Sequence, residues 1–337
     1  MVTLANADVE IVPCNLCGSQ DFERLFEIGD QRYERPEVFE MVRCKSCGLG
    51  FLSPRPKASA LERYYPPAYF DVFKAPNYDV AYLRRAKFLE RACSASKTRR
   101  LLDIGCANGA FPRFMRDRGW TVEGIEVAAT ADSITDFPVY RSVAEIPSSS
   151  ARYNAISAWS VLEYMPDPGA AFRAVSDLLS PGGAFIVVTP NFDSVTNLGL
   201  RRYDVPRQLY CFSPRTIQAY AAKAGLSVDT INTDTQFFAK APNNWLRYYL
   251  RRAIGLGPLP WDQHPEGRLK YARRRNLPLG LRTNVRYAIT HPLTSLDRAL
   301  EPLFQRYQEW TGTYGFATYV IRKKLSVSDA QHGIAQK

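Results

Sequence analysis

The run RRLLDIGCANGAF, residues 99–111, constrains this chain more than any other stretch. Its apolar part ends on Asp103, then Gly105, Ala107 and Gly109 follow at alternate positions, and a helix-like pattern begins beyond them. A short apolar run closed by turn residues reads as a buried strand. Small residues after it let the backbone turn tightly and come close to a bound molecule. Strand, small-residue turn and helix N-terminus together form the crevice in which α/β folds hold nucleotides. About twenty residues on, GIE ends the next apolar run at Glu126, where an acid can accept hydrogen bonds from both ribose hydroxyls.

The charge of the ligand separates two cofactor classes. A dinucleotide fingerprint needs G-x-G-x-x-G, and positions 105, 107 and 110 are Gly, Ala and Ala. A pyrophosphate would also be repelled by a carboxylate two residues before the first glycine. S-adenosylmethionine (SAM) has no phosphate and carries a sulfonium and an ammonium, so Asp103 favours it. The expected cofactor is SAM.

Strands and helices alternate around this turn. RLLDIG, WTVEGIE, PVYRSV, YNAISAWSV and GGAFIVVTP read as strands, with helices over GAFPRFMRDRG and PGAAFRAVSDLLS and a short one at most over AATADSITDF. DVAYLRRAKFLERACSASK, residues 79–97, has helical spacing and leads into this region. SPRTIQAYAAKAG carries Pro at its first helical position and Gly after its end, a start and stop pair. LSVDTINTDT follows as a strand, and YGFATYVIRKK is a last one after a long excursion. Such alternation predicts a mainly parallel sheet with helices on both faces.

Upstream lie two knuckles, CNLCG with Cys14 and Cys17, and CKSCG with Cys44 and Cys47, separated by 26 residues. Four thiolates in two C-x-x-C pairs suit one tetrahedral Zn²⁺, and with all four ligands from protein such a site is structural. The competing reading is a pair of disulfides or free thiols. The N-terminus MVTLANADVEIVPC lacks the basic and apolar regions of a secretion signal, so a cytoplasmic location is expected and zinc is preferred over disulfides. Cys93, Cys106 and Cys211 read as small buried side chains.

Charge divides the chain. Residues 1–239 hold 27 basic and 27 acidic residues, whereas 240–337 hold 17 Lys and Arg against 6 Asp and Glu, the whole of the net +11. The stretch NNWLRYYLRRAIGLGPLPW interleaves Trp245, Leu246, Tyr249 and Leu250 with Arg247, Arg251 and Arg252. It reads as a helical cap over a substrate cleft, as an interfacial helix peripheral to an anionic membrane, or as a diphosphate-binding surface over residues 243–275. No recognised nucleic-acid module accompanies the charge, so nucleic acid is not the expected partner.

The motifs LLDIGCANG, GIE, WSVLEYMPDP, LSPGG and FIVVTPN, in this order, resemble those of class I SAM-dependent methyltransferases. Together with CNLCG…VRCKSCGLGFLSPRP…YY…YF and RQLYCFSPRTI…AGL, they resemble bacterial methyltransferases with an N-terminal zinc ribbon that serve sugar and polysaccharide biosynthesis. The resemblance implies a Rossmann-like sheet of seven strands with the last antiparallel, and a helical insertion before that last strand. It implies a zinc ribbon over 1–60, a connector and leading helix over 61–98, a SAM-binding domain over 99–237 and 312–325, and a basic insertion over 238–311.

It also implies roles. Gly105, Cys106, Ala107, Asn108 and Gly109 would line the methionine and ribose, with Asp103 near the methionine amine. Glu126 would hold the ribose, with Val127, Ser142 and Val143 bordering the adenine. Trp159 and Ser160 would sit beside the sulfonium. The acceptor would be a sugar or sugar-derived small molecule methylated at oxygen or carbon. The chain departs from the pattern where relatives place a general base: Tyr164 stands for the His of LEH, and Gln208 and Cys211 stand for the two His of EHLYHFS. A base from Tyr164, Tyr210 or Glu163, catalysis by positioning alone, and a non-catalytic SAM-binding adaptor are the readings left open.

Overall fold

The structure is a computed structural model that describes residues 8–30, 32–33, 35, 37–66, 69, 78–94, 98–128, 132–147, 152–194, 204–233, 246, 250, 253–254 and 292–323. Most of the expected basic insertion, including Trp245, Arg247, Tyr249, Arg251 and Arg252, lies outside these residues.

The N-terminal part is built from β1 (Val9–Glu10), β2 (Phe22–Gly29), β3 (Val38–Cys44), β4 (Gly50–Leu52) and β5 (Arg55–Pro56), followed by a one-turn helix α1 (Ala58–Leu61) and the long α2 (Tyr78–Ala92). Then come β6 (Arg100–Ile104), α3 (Ala110–Arg116), β7 (Thr121–Ile125), β8 (Val139–Tyr140), β9 (Tyr153–Trp159), α4 (Pro168–Leu178), β10 (Leu179–Pro190), β11 (Tyr210–Cys211), α5 (Pro214–Lys223), β12 (Leu226–Asn232), α6 (Pro292–Thr311) and β13 (Phe316–Lys323).

Seven strands form the main sheet in the order β12-β13-β10-β9-β6-β7-β8. β13 runs antiparallel to both β10 and β12, and the pairs from β10 across to β8 are parallel. This agrees with the expected α/β Rossmann-like sheet of seven strands with its last strand reversed. The strands are apolar because both faces are covered: every residue of β9 is buried. Alternate residues of β10 feed two cores, with Phe185 and Val187 on one side and Ala184, Ile186 and Val188 on the other.

Several elements are shorter than their sequence patterns. The helix expected over 79–97 ends at Ala92, and the buried Cys93 thiol then meets the Asn154 carbonyl at 3.3 Å. The strand expected over PVYRSV contains only Val139 and Tyr140, because Arg141 turns away and its N–H donates to Glu145 Oε2 at 2.8 Å. Ser142 and Val143 therefore open a 3₁₀ turn and do not continue the sheet. Residues 129–131 of the short helix expected over 128–137 lie outside the described residues, and of the rest only Asp132 and Ser133 are helical, in a 3₁₀ turn. α5 starts as read, with Ser213 and Thr216 forming a reciprocal capping box ahead of Pro214.

The ribbon does not stand apart. Its second sheet has the order β11-β4-β3-β2, so Tyr210 and Cys211, some 150 residues downstream by sequence, supply the fourth strand against β4. Asn15, inside the first cysteine knuckle, reaches the N-terminus of α4: its Nδ2 donates to Asp167 Oδ1 at 2.9 Å and its Oδ1 accepts from Gly169 N–H at 3.1 Å. Tyr220 of α5 donates to the same Oδ1 at 2.9 Å. One apolar core takes in Cys14, Leu16, Val42 and Phe51 together with Leu102, Phe172 and Tyr220.

Candidate functional site

The strand ends β6, β7 and β9 bring the expected cofactor residues together. After Ile104 the chain reverses through Gly105, whose N–H donates to the Ile125 carbonyl at 2.7 Å. Gly105 has φ +74°, and a Cβ there would lie 2.5 Å from Val161 Cγ2. Only glycine fits, and the contact places the turn over Leu162–Tyr164 directly against the glycine loop. Ala107 (φ +52°) and Ser160 (φ +57°) are the two non-glycine residues with positive φ among the described ones. Each costs on the order of 1 kcal/mol or more, and strain of this kind gathers at ligand sites.

Two carboxylates flank the loop. Asp103 is 2% exposed, and Ser157 Oγ donates to its Oδ1 at 2.6 Å. Burial pushes its carboxyl up to about 7, against the pull of the Ser157 hydrogen bond and the Arg85 charge. Glu126 is held differently: Ala107 N–H donates to its Oε2 at 2.9 Å and Ala128 N–H to its Oε1 at 2.8 Å. Each carboxylate oxygen keeps a further lone pair, which suits a pair of ribose hydroxyls.

The remaining expected residues are distributed around this frame. Asn108 Oδ1 accepts from Ala110 N–H at 3.1 Å, and its carbonyl accepts from Arg113 Nη1 at 2.7 Å, fixing the loop to α3. The Cys106 thiol is buried under the loop, 2.6 Å from where a Cβ on Gly124 would stand, and burial raises its pKa. Its side chain is buried, as expected of a small buried cysteine. Gly109 begins α3 in the left-handed conformation, and Val127 is 80% exposed next to Glu126. Arg141 Nη1 donates to the Glu126 carbonyl at 3.3 Å, which ties the Ser142–Val143 turn to the end of β7. Trp159 closes β9 and packs edge-on against Phe111, ring centroids 5.5 Å apart.

The candidate bases differ sharply in environment. Glu163 is 2% exposed, its Oε2 has no hydrogen-bond partner, and burial pushes its carboxyl up to about 8. Burial also lifts Tyr164 well above the usual phenol range, and its hydroxyl donates to Asp204 Oδ2 at 3.5 Å. Tyr210 lies in β11, where its hydroxyl meets Arg55 Nη1 at 2.7 Å and the Pro166 carbonyl at 3.1 Å. That hydroxyl is committed to the junction between ribbon and sheet.

Next to Tyr164 is a charge cluster that sequence reasoning passed over. Arg207 is fully buried, and its guanidinium donates to both oxygens of Asp30 at 2.9 Å, to Asp204 Oδ1 at 2.8 Å and to the Tyr64 carbonyl at 2.9 Å. Arg32 pairs with the other Asp204 oxygen at 3.3 Å and stacks over Tyr69 at 4.4 Å. The cluster joins the loop after β2 to the segment before β11. Its one sequence signal was the i,i+3 spacing of Asp204 and Arg207; Asp30 and Arg32 gave none.

The four knuckle cysteines meet. Their sulfurs lie within 4.8 Å of one another, with Cys14–Cys47 at 3.4 Å and Cys17–Cys44 at 3.5 Å. A tetrahedral ZnS₄ site has sulfurs about 3.8 Å apart, whereas a disulfide needs about 2 Å. Burial pushes the Cys47 thiol up to about 11. At Cys44 burial acts the same way, but the Cys47 N–H, the Cys17 thiol and the Ser46 N–H outweigh it and bring the thiol down to about 7. The donor set suits one zinc ion.

The family model described as a methyltransferase domain matches residues 77–231. The chain is similar to the ubiquinone biosynthesis O-methyltransferase of Marinobacter nauticus, 30% identical over 129 residues that make up 34% of this chain and 53% of that protein. The enzyme of the same name from Alkalilimnicola ehrlichii is 28% identical over 127 residues, 34% of this chain and 51% of that protein. The chain thus spans about half the length of these curated relatives. A solved, SAM-bound amino pentose methyltransferase from Micromonospora echinaspora is 17% identical at TM-score 0.38, covering 51% of this chain and 93% of that one; a likeness that loose carries no argument. The family match gives the chain a methyltransferase domain over residues 77–231.

Proposed function

We propose that this protein is a SAM-dependent methyltransferase that methylates oxygen or carbon of a sugar or sugar-derived small molecule, and that one structural zinc ion holds its ribbon. The observation that carries the first part is the pair of carboxylates, Asp103 and Glu126, at the ends of adjacent strands on either side of a loop held in left-handed conformations. SAM, when bound, supplies a methyl group on a positively charged sulfur. Asp103 would face the ammonium, Glu126 would accept from the ribose, and Trp159 and Ser160 would border the sulfonium.

The acceptor would be held over the ends of β9 and β10, against the turn that carries Glu163 and Tyr164. Glu163, ionised above about pH 8, would take up the acceptor proton, or Tyr164 would take it up while passing its own phenolic proton to Asp204 Oδ2. The sugar class rests on the resemblance of the ribbon and methyltransferase motifs. The names of the two curated relatives support oxygen as the accepting atom. The zinc reading rests on the four converging sulfurs.

Calorimetry with SAM, then SAM turnover against a panel of sugars, nucleotide sugars and phenols, tests the proposal. SAM binding with sugar-dependent turnover is expected. Binding without turnover on any acceptor favours a non-catalytic adaptor, and no SAM binding sinks both readings. If the basic insertion recruits a phosphate-bearing acceptor, Arg251→Ala with Arg252→Ala should raise the KM for a nucleotide sugar and leave that for an uncharged sugar alone.

A further inference from the structure

Helix α6 is apolar on two sides. Phe304 and Gln308 turn inward, 6% and 4% exposed, and hold the helix against the domain. Leu296, Leu303, Tyr307 and Trp310 are 47%, 63%, 50% and 84% exposed. Their intervals of seven, four and three residues put all four on one stripe at about 3.6 residues per turn. The Tyr307 ring touches Phe304 on one side and Trp310 on the other, each at 6.3 Å between centroids, so the exposed stripe continues the buried one. Large apolar side chains in a continuous exposed patch mark a surface that meets something.

The helix itself is of mixed charge, and the basic excess lies in the sequence that precedes it. Arg306 is exposed on its flank, four residues before Trp310. The carboxylate of Glu309 is turned the other way, accepting from Thr233 Oγ1 at 3.3 Å and Gln305 Nε2 at 3.2 Å. Residues 240–291, which lead directly into the helix, contain 11 Lys and Arg against 2 Asp and Glu. Within that stretch Leu250 and Ile254 are 43% and 71% exposed one helical turn apart, with Ile254 N–H donating to the Leu250 carbonyl at 3.2 Å and Arg251 and Arg252 between them in sequence. No helix among the described residues is long and apolar enough to cross a membrane.

Exposed Leu with Tyr and Trp, next to a strongly basic stretch, is the chemistry of a helix that lies in the headgroup region of an anionic bilayer. Trp and Tyr favour that depth because each has an apolar ring with a polar edge. We propose that α6 docks this protein on anionic membrane, with Leu303, Tyr307 and Trp310 entering the acyl boundary and the basic stretch supplying the attraction. The proposal does not depend on the reading of the methyl-transfer site.

The test is co-sedimentation of the full-length protein with vesicles of phosphatidylcholine alone and of phosphatidylcholine with phosphatidylglycerol, at low and high salt. Leu303→Ser with Trp310→Ser in one chain removes the two most exposed members of the stripe without touching a buried group, and circular dichroism checks its fold. Arg24→Ser, on the exposed edge of the ribbon, is the control. The wild type and the control should partition onto the anionic vesicles only, and less at high salt. The double variant should bind about tenfold more weakly or worse. No binding to anionic vesicles overturns the proposal. Equal binding by the double variant also overturns it, because charge alone would then be acting. So does a wild type that self-associates without vesicles while the double variant stays monomeric, since a second copy would then be the occupant.

Discussion

Asp103 and Glu126 end neighbouring strands, yet the protein holds them in opposite ways. Glu126 is tied by two backbone N–H groups, so it is oriented before any ligand arrives. Removing it should cost SAM at least about tenfold in affinity by calorimetry, since it takes away charge-assisted hydrogen bonds worth about 1.5–3 kcal/mol each. Asp103 has one hydroxyl and little solvent, and its carboxyl sits near pH 7. An ammonium prefers the ionised form. SAM affinity should therefore rise as pH goes from 6 to 8, and Asp103→Asn should bind more weakly with a flat profile over that window.

Glu163 carries a second pH signature, this time in stability. Its folded pKa of about 8 lies above the usual carboxylate value, so the folded state holds a proton that the unfolded chain releases. Its neutral form is accommodated at acid pH, and the contribution is lost as pH rises toward 8. Glu163→Gln should match the wild type in urea melts near pH 4.5 and be more stable at pH 8.5. Equal midpoints at pH 8.5 would show that the carboxylate has found a partner.

At the scale of elements, the loop after β2 and the segment before β11 are joined by Arg207, Asp30 and Asp204 with no solvent at the guanidinium. Removing one member leaves buried charge unmatched, so Arg207→Met should destabilise by about 3–5 kcal/mol. Chemical denaturation of the variant beside Asp30→Asn with Arg207→Met, which removes two members together, would separate the lost pair from the stranded charge. The loss should be smaller in the second variant.

These elements also show what the sequence could reveal. The strands and α5 were legible because burial on both faces writes a continuous apolar run and because start and stop signals are local chemistry: Asp103 and Gly105 mark the end of β6, and Pro214 and Gly225 bracket α5. β11 could not. Two residues in LYCF carry no strand signal, and their partner β4 lies about 160 positions away. The short β8 was over-read for a related reason, since a side chain of the following turn, Glu145, captures the Arg141 N–H that a longer strand would have needed. Asn15 stands between two cysteines, and its hold on α4 depends on a contact that no local pattern encodes.

For the whole molecule, the ribbon and the main sheet share one core, and β11, from the segment just before α5, completes the ribbon's own sheet. Metal analysis of untagged protein should give about one zinc per chain, lost in Cys14→Ser with Cys17→Ser. Because Asn15 couples the knuckle to α4 and one core joins the ribbon to the main sheet, a chelator should lower the melting temperature of the entire chain in a single transition. Two separated transitions, or an unchanged melt, would show the ribbon to be independent.

The reversed position of β13 has a consequence for how the chain is made. β13 fills the gap between β10 and β12, and its first residue follows the end of β12 by more than 80 positions. During synthesis β10 emerges and waits with one hydrogen-bonding edge open, and β12 has no neighbour in the sheet at all until Phe316–Lys323 leaves the ribosome. Unpaired strand edges are what aggregating chains share. A nascent chain stalled anywhere between residues 233 and 315 would present such an edge, so the interval in which this protein needs a chaperone is set by the length of the insertion and ends only when its last strand has been translated.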